Sequence, residues 1–447
     1  MLKNRYQEVL VGLNLTSLIR GIISLRRKRS TLLIDDPRFK ASNYPGHFLS
    51  ELEILALSRL GQNFDVPELA DLREFLSPAT VDLVTPQLRL RLGRSPLENL
   101  QEVLRKFPEL IDENDLDQLY AETSSGFENY FMEELKRYES LCYEASFRAK
   151  GFRFEIQGPK WFKTIYSRFG ETLNREYALS KDLKFQSLLH LLSLSFEEKL
   201  KTRMAPEEIP FYFFRMLSPI HRLQDFFLTT QLKRRLSLLG GDYKESSVQF
   251  WQLHDNKFEN LLLESFEGVI SGDRVLFFSH LPEEVPFRVH SPFGVFRKTQ
   301  MLPQKRPSNP FPPTALTFMA DENMLGSELP YRVMMEFDHG PATYHWPYPE
   351  LPGSKAAFYQ QATTTAFEQD ARMIPFDMKE PVFQGVQSVS LDMRKLQDQR
   401  KTEASILSRL PLEVVSADKP VQGFEYWGPF RYRSLGILAL CYGVEGV

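Results

Sequence analysis

The 447 residues, 42% hydrophobic and 25% charged, describe a globular chain with room for two or three domains. A net charge of −3 gives no global basicity for nucleic acid, and two cysteines, Cys142 and Cys441, are too few for a disulfide framework and fit a reducing, cytoplasmic setting. No apolar run reaches the roughly 18 residues of a membrane span, and the N-terminus lacks the apolar core and cleavage site of a secretory leader.

The chain opens on its most informative stretch. Val9, Leu10 and Val11 form an apolar run ending at Gly12, which suits a buried parallel strand and a tight turn. Leu15, Leu18, Ile19, Ile22 and Ile23 then fall at helical spacing. Arg26, Arg27, Lys28 and Arg29 follow at the helix end, where cations suit the dipole and where a solvated helix end is a simpler reading than a nucleic-acid patch. Residues 31–34 give a second β-prone run closed by Asp35 and Asp36. Strand, turn, helix, strand and acid in that order predict a dinucleotide-binding βαβ unit, with Asp35 at about the 20-residue spacing at which an acid meets a ribose hydroxyl.

The glycine fingerprint of such a unit is altered. G-x-G-x-x-G stands here as Gly12-Leu13-Asn14-Leu15-Thr16-Ser17. The second glycine normally lets backbone approach a pyrophosphate, and the third lets helix and strand pack closely. Ser17 is a small replacement for the third, whereas the amide of Asn14 is expected to project toward the phosphates, where it can still donate a hydrogen bond. A cofactor-holding unit and a structural unit with an empty crevice both remain open.

Further along, 48–61 reads as a helix ending at Gly61, and 67–203 as mostly helical, with 96–107 and 112–122 as examples. A helix over 220–239 is followed by Gly240-Gly241, a strand at 248–253, a hairpin around 261–269, and a strand at 274–278. The span 287–348 is strand-rich, with strands expected at 293–297, 315–319, 331–337 and 342–346 and a proline-rich loop at 303–313. Helices are expected at 355–373, 392–410 and 434–442. Phenylalanine is frequent, at 36 residues with pairs at Phe213-Phe214, Phe226-Phe227 and Phe277-Phe278, and a bulky core is the plain reading beside that of an aromatic pocket.

This layout resembles the flavin-binding fold shared by amine oxidases, phytoene desaturases and protoporphyrinogen oxidases. Three blocks carry the resemblance: residues 9–36, residues 220–278 with Leu239-Gly240-Gly241, Val248 and Gly272-Asp273-Arg274-Val275, and the C-terminal Trp427-Gly428-Pro429 with Leu435-Gly436-Ile437. It implies an α/β Rossmann-like FAD/NAD(P)-binding domain, discontinuous in sequence, over 1–70, 219–285 and 405–447. An α+β substrate or partner domain would take 71–218 and 286–404. It further implies FAD, with Gly12, Asn14 and Ser17 at the pyrophosphate, Asp35 at the adenosine ribose, Val248 at the adenine, and Gly428 and Gly436 near the flavin ring. The implied activity is oxidation of a bulky, largely apolar substrate, with no acid or base assigned. Pro37-Arg38-Phe39-Lys40 stands where that family has a second glycine pair and an arginine. Leu15-Thr16 and Gly21-Ile22 are also similar to the first helix of the Rab GDP-dissociation inhibitors and escort proteins, a branch of the fold that binds a protein and a lipid without cofactor. That resemblance implies a non-catalytic protein binding a partner or an apolar ligand.

Other chemistry is weaker. Asp338, His339 and His345 do not share a strand face and make a poor metal set. No Walker loop, G-x-S-x-G, H-E-x-x-H or paired C-x-x-C is present. His47 reads as structural, Tyr344, Trp346 and Tyr348 alternate on one strand face, and Cys441 lacks a neighbouring base.

Overall fold

The computed structural model describes residues 3–37, 48–84, 89–93, 95–106, 217–265 and 268–278, with strand segments within 288–348 and residues 414–416 and 419–426. In chain order, β1 (Arg5–Val11) leads to α1 (Leu15–Arg26) and β2 (Thr31–Asp35). Then come β3 (Phe48–Ser50), α2 (Glu51–Asn63), α3 (Pro67–Ala70), β4 (Leu76–Ala79), β5 (Val81–Val84), β6 (Arg89–Leu92) and α4 (Pro96–Lys106). The next described block holds β7 (Ile220–Leu223), α5 (Asp225–Leu238), β8 (Asp242–Glu245), β9 (Val248–His254), β10 (Lys257–Leu263) and β11 (Val269–Phe277). The remaining strands are β12 (Arg288–Val289), β13 (Val295–Gln300), β14 (Ala315–Ala320), β15 (Tyr331–Glu336), β16 (Thr343–Tyr348), β17 (Val414–Ser416), β18 (Lys419–Pro420) and β19 (Phe424–Tyr426).

The first sheet has seven strands in the order β8-β2-β1-β11-β10-β9, with β19 also beside β11. β8, β2, β1, β11 and β19 run parallel, and β9, β10 and the start of β11 form an antiparallel meander. β11 serves both parts: residues 269–271 pair with β10, and Val275 to Phe277 pair with β19. At the centre of the sheet the runs Val9 to Val11, Leu32 to Ile34 and Val275 to Phe277 are apolar and fully buried because both faces are covered there. Leu18, Ile19, Ile22 and Ile23 of α1 are fully buried over one face, and Leu228, Leu232 and Leu236 of α5 join them. On the other face Trp251, Phe258, Phe277 and Phe424 form an aromatic cluster, with Trp251 edge-on to Phe424 at 5.8 Å between ring centres. The Phe277-Phe278 pair therefore belongs to the core, whereas Phe226 and Phe227 are exposed at the start of α5. Phe213-Phe214 lies outside the described residues.

A second sheet of six strands has the order β13-β16-β15-β14-β5-β6, with β14 parallel to β5 and the other neighbours antiparallel. β3, β7 and β4 form a small antiparallel sheet, and β12, β17 and β18 another.

Several expectations change. Residues 48–50 and 220–223 read as helix starts and are instead paired strands, Ser50 opposite Ile220 and Phe48 opposite Arg222. Their partners lie far away in sequence, so local periodicity is silent about them. The stretch after residue 67 contains β4, β5 and β6 before its helix at Pro96–Lys106. Gly61 does not end α2; it sits within it, where a Cβ would meet Ala70 N at 2.4 Å, so its role is to let α2 approach α3. The helices expected at 112–122, 355–373, 392–410 and 434–442 lie outside the described residues.

Candidate functional site

The candidate crevice lies at the C-terminal ends of β1, β2, β8 and β11. Gly12 leaves β1 at φ +100°, a left-handed conformation that favours glycine, and its N–H donates to Ile34 O at 2.9 Å. The chain then enters α1 through Asn14 in extended backbone. Asn14 Oδ1 accepts from Ser17 N at 2.9 Å, and Ser17 Oγ accepts from Asn14 N at 3.0 Å, a reciprocal capping box. Asn14 Nδ2 donates to Phe278 O at 2.9 Å at the end of β11. The amide therefore folds back onto its own helix and across to the next strand; it does not project into the crevice as the sequence suggested. Ser17 is buried and also donates its hydroxyl to Asn14 O at 2.9 Å. Close helix packing is supplied one turn later by Gly21, where a Cβ would stand 2.8 Å from Leu236 Cδ1 and 3.1 Å from Leu10 Cδ1. Thr16 Oγ1, next to these groups, is buried without a hydrogen-bond partner among the described residues.

At the tip of β2 the two acids part company, as successive residues on a strand do. Asp35 Oδ2 accepts from the Tyr243 hydroxyl at 2.7 Å. Lys233 of α5 donates to the same hydroxyl at 2.9 Å and stands 4.1 Å from the ring centre. Burial first, then the hydrogen bond to Asp35 and the charges of Asp35 and Glu245, push the Tyr243 hydroxyl well above the usual phenol range and keep it a donor. Asp36 is buried, and its Oδ2 accepts from Val248 N at 2.8 Å. Ser246 N donates to Asp35 O at 3.1 Å, which carries the parallel pairing of β2 and β8 past its last register pair, Asp35 with Glu245.

The structure thus brings Gly12, Asn14, Ser17, Asp35 and Val248 to one end of one sheet, while Gly428 and Gly436 lie outside the described residues. Tyr243 and Asp36 were not among the residues expected to hold the site. The signal for Asp36 was the doubled acid, of which alternation turns one inward; Tyr243 sits in a strand too short to show a period. As arranged, these residues do not fit a dinucleotide: the side chain at the second glycine place, one oxygen of the ribose acid and the Val248 amide are engaged inside the protein.

Beneath α1 lies a second charged group. Glu8, inside β1, accepts from Arg20 Nε at 3.1 Å, Ser24 Oγ at 2.6 Å and Arg29 Nη1 at 3.0 Å. Arg20 is completely buried. Burial pushes the Glu8 carboxyl up, but the Arg20 charge with hydrogen bonds from Arg20 and Ser24 outweighs it and holds the group below the usual carboxylate range. Arg274, opposite Glu8 on β11, pairs with Glu425 of β19. The basic run at the end of α1 is not simply solvated: Arg26 reaches Asp65 Oδ2 at 2.6 Å, Arg27 lies 5.1 Å from the Phe64 ring centre, and Arg29 serves Glu8. Among the described residues no cluster of metal-binding side chains occurs, and no helix is long and apolar enough to cross a membrane. His345, Tyr344, Trp346 and Tyr348 fall on β16; His47, Asp338, His339, Cys142 and Cys441 lie outside the described residues.

No family model matches the chain, and no curated protein matches it in sequence. Among solved structures, a Rab GDI from Plasmodium falciparum superposes with a TM-score of 0.52 at 10% identity, over 99% of this chain and 98% of its own. A geranylgeranyl bacteriochlorophyll reductase-like protein from Thermoplasma acidophilum gives 0.44 at 9% identity over 98% of this chain and 75% of its own. A flavin-dependent brominase gives 0.42 at 11% identity over 98% and 77%. The fold is α/β and Rossmann-type, like that of the GDI, and at 10% identity the likeness shows the fold alone.

Proposed function

We propose that this chain is a non-catalytic binding protein on a dinucleotide-binding fold, and that it takes a protein partner in place of a flavin. The observation that carries the reading is the Asn14 amide, tied at one end to Ser17 N and at the other to Phe278 O where a cofactor protein presents bare backbone. The end-to-end fold likeness to a Rab GDI supports it. On this reading, residues 71–218 and 286–404 supply the partner-binding part, and an apolar ligand is the other occupant to test there.

A second reading keeps FAD and an oxidoreductase acting on a bulky apolar substrate, with Gly12, Asn14, Ser17, Asp35, Val248, Gly428 and Gly436 around the cofactor. In its favour, the Gly12 turn survives and Thr16 Oγ1 is a buried hydroxyl with no partner among the described residues, at the helix end where a phosphate would bind. A flavin would supply hydride transfer, the protein only its orientation.

A visible absorption spectrum of the purified protein, before and after incubation with FAD and desalting, separates the two. The expected result is no flavin band in either sample. A stoichiometric band that survives desalting overturns the proposal and makes the oxidoreductase the leading reading.

A further inference from the structure

Resting on the flavin-free reading, we infer that the adenosine end of the crevice is filled by the chain's own side chains, with Tyr243 standing in for a ribose hydroxyl and Asp36 for an adenine edge. The chemistry matches group for group. An acid at the tip of the second strand of such a sheet ordinarily accepts from a ribose hydroxyl; Asp35 accepts from a phenol at 2.7 Å. Lys233 holds that phenol from above, by a 2.9 Å hydrogen bond and by its charge 4.1 Å from the ring centre. At the start of β9, the Val248 amide, which an adenine would need, donates to Asp36 at 2.8 Å. Each contact also joins elements of the fold. Tyr243 and Lys233 link β2, β8 and α5, and Asp36 links the end of β2 to the start of β9. Opening the subsite therefore costs stability, and a nucleotide must displace the half-buried Tyr243 and the buried Asp36, both already hydrogen-bonded, to enter.

The probe is ADP, which carries the adenosine and the pyrophosphate without the flavin. Melting curves of the wild type and of a Tyr243→Ala/Asp36→Ala variant are taken with and without ADP at millimolar concentration. The wild type is expected to show no shift. The variant, with Asp35 and the Val248 amide released, is expected to melt lower and to gain a rise of about 2–5 °C with ADP, as binding to the folded state alone requires. A wild-type shift as large as the variant's overturns the inference, because the subsite is then open. A folded variant with no shift overturns it too, because the two side chains then occupy no nucleotide place. If the variant does not fold, hydrogen exchange of the wild-type peptide containing Val248 decides. Protection that ADP leaves unchanged upholds the inference, and an ADP-dependent gain overturns it. Retained FAD refutes the flavin-free reading itself, whereas a flavin-free protein stabilised by ADP refutes only the filled subsite.

Discussion

Asn14 shows how one side chain can redirect a site. A helix cap of this type contributes about 1 kcal/mol, and the bridge to Phe278 O adds a hydrogen bond of similar worth. Asn14→Ala is therefore expected to lower unfolding stability by about 1–2 kcal/mol in urea titrations; a loss under about 0.3 kcal/mol would show the box and bridge to be idle. Glu8 makes a different prediction, in pH. Its folded-state affinity for protons is lowered, so its contribution is complete above the usual carboxylate value of 4.5 and is lost as pH falls through its lower folded value. Glu8→Gln leaves Arg20 buried without its counter-charge, and a loss of about 3–5 kcal/mol near neutrality is expected. Urea titrations at several pH values should show that gap narrowing below about pH 4.5; a gap independent of pH would place the carboxylate's role in packing alone.

Glycines set the close approaches between elements. At Gly61 two effects oppose each other. Alanine favours a helix interior over glycine by about 1 kcal/mol, yet a Cβ here meets Ala70 N at 2.4 Å and Leu69 C at 2.7 Å, backbone atoms that move only with α3. Gly61→Ala is expected to destabilise by about 1–3 kcal/mol despite the gain in propensity, measured by thermal or urea unfolding. Stabilisation would mean that α3 shifts freely. Gly21 is more forgiving for alanine, because the nearest atoms are the ends of the Leu236 and Leu10 side chains. The sequence showed α1 and its flanking strands clearly, since a stripe of five apolar residues and a turn glycine are local signals. It misassigned 48–50 and 220–223 because their conformation is dictated by each other across a gap of some 170 residues.

Across the whole molecule, the first sheet is assembled from the N-terminus, the 242–277 block and the 424–426 strand. Arg274 and Glu425 fasten the last of these, beside Glu8 and Arg20. Burial lowers the proton affinity of Arg274, the Glu425 charge opposes it, the repulsion of Arg20 adds to it, and the net shift stays downward. Glu425→Gln is expected to cost about 2–3 kcal/mol, short of the ~3–5 of a fully dry pair because both side chains keep some contact with water. A double-mutant cycle with Arg274→Met, read by urea unfolding, checks this: coupling near zero would make the pair incidental.

The order strand, glycine turn, helix, strand and acid, and with it the α/β Rossmann-type fold, was written in residues 9–36, because each of those signals is carried by neighbours in the chain. What became of the site was not. That Asn14 turns inward, that Asp35 meets Tyr243 and that Asp36 takes the Val248 amide depend on residues more than 200 positions apart, brought together when β8, β9 and β11 join β1 and β2. A sequence shows which polar groups are present, and only packing decides which of them are already satisfied.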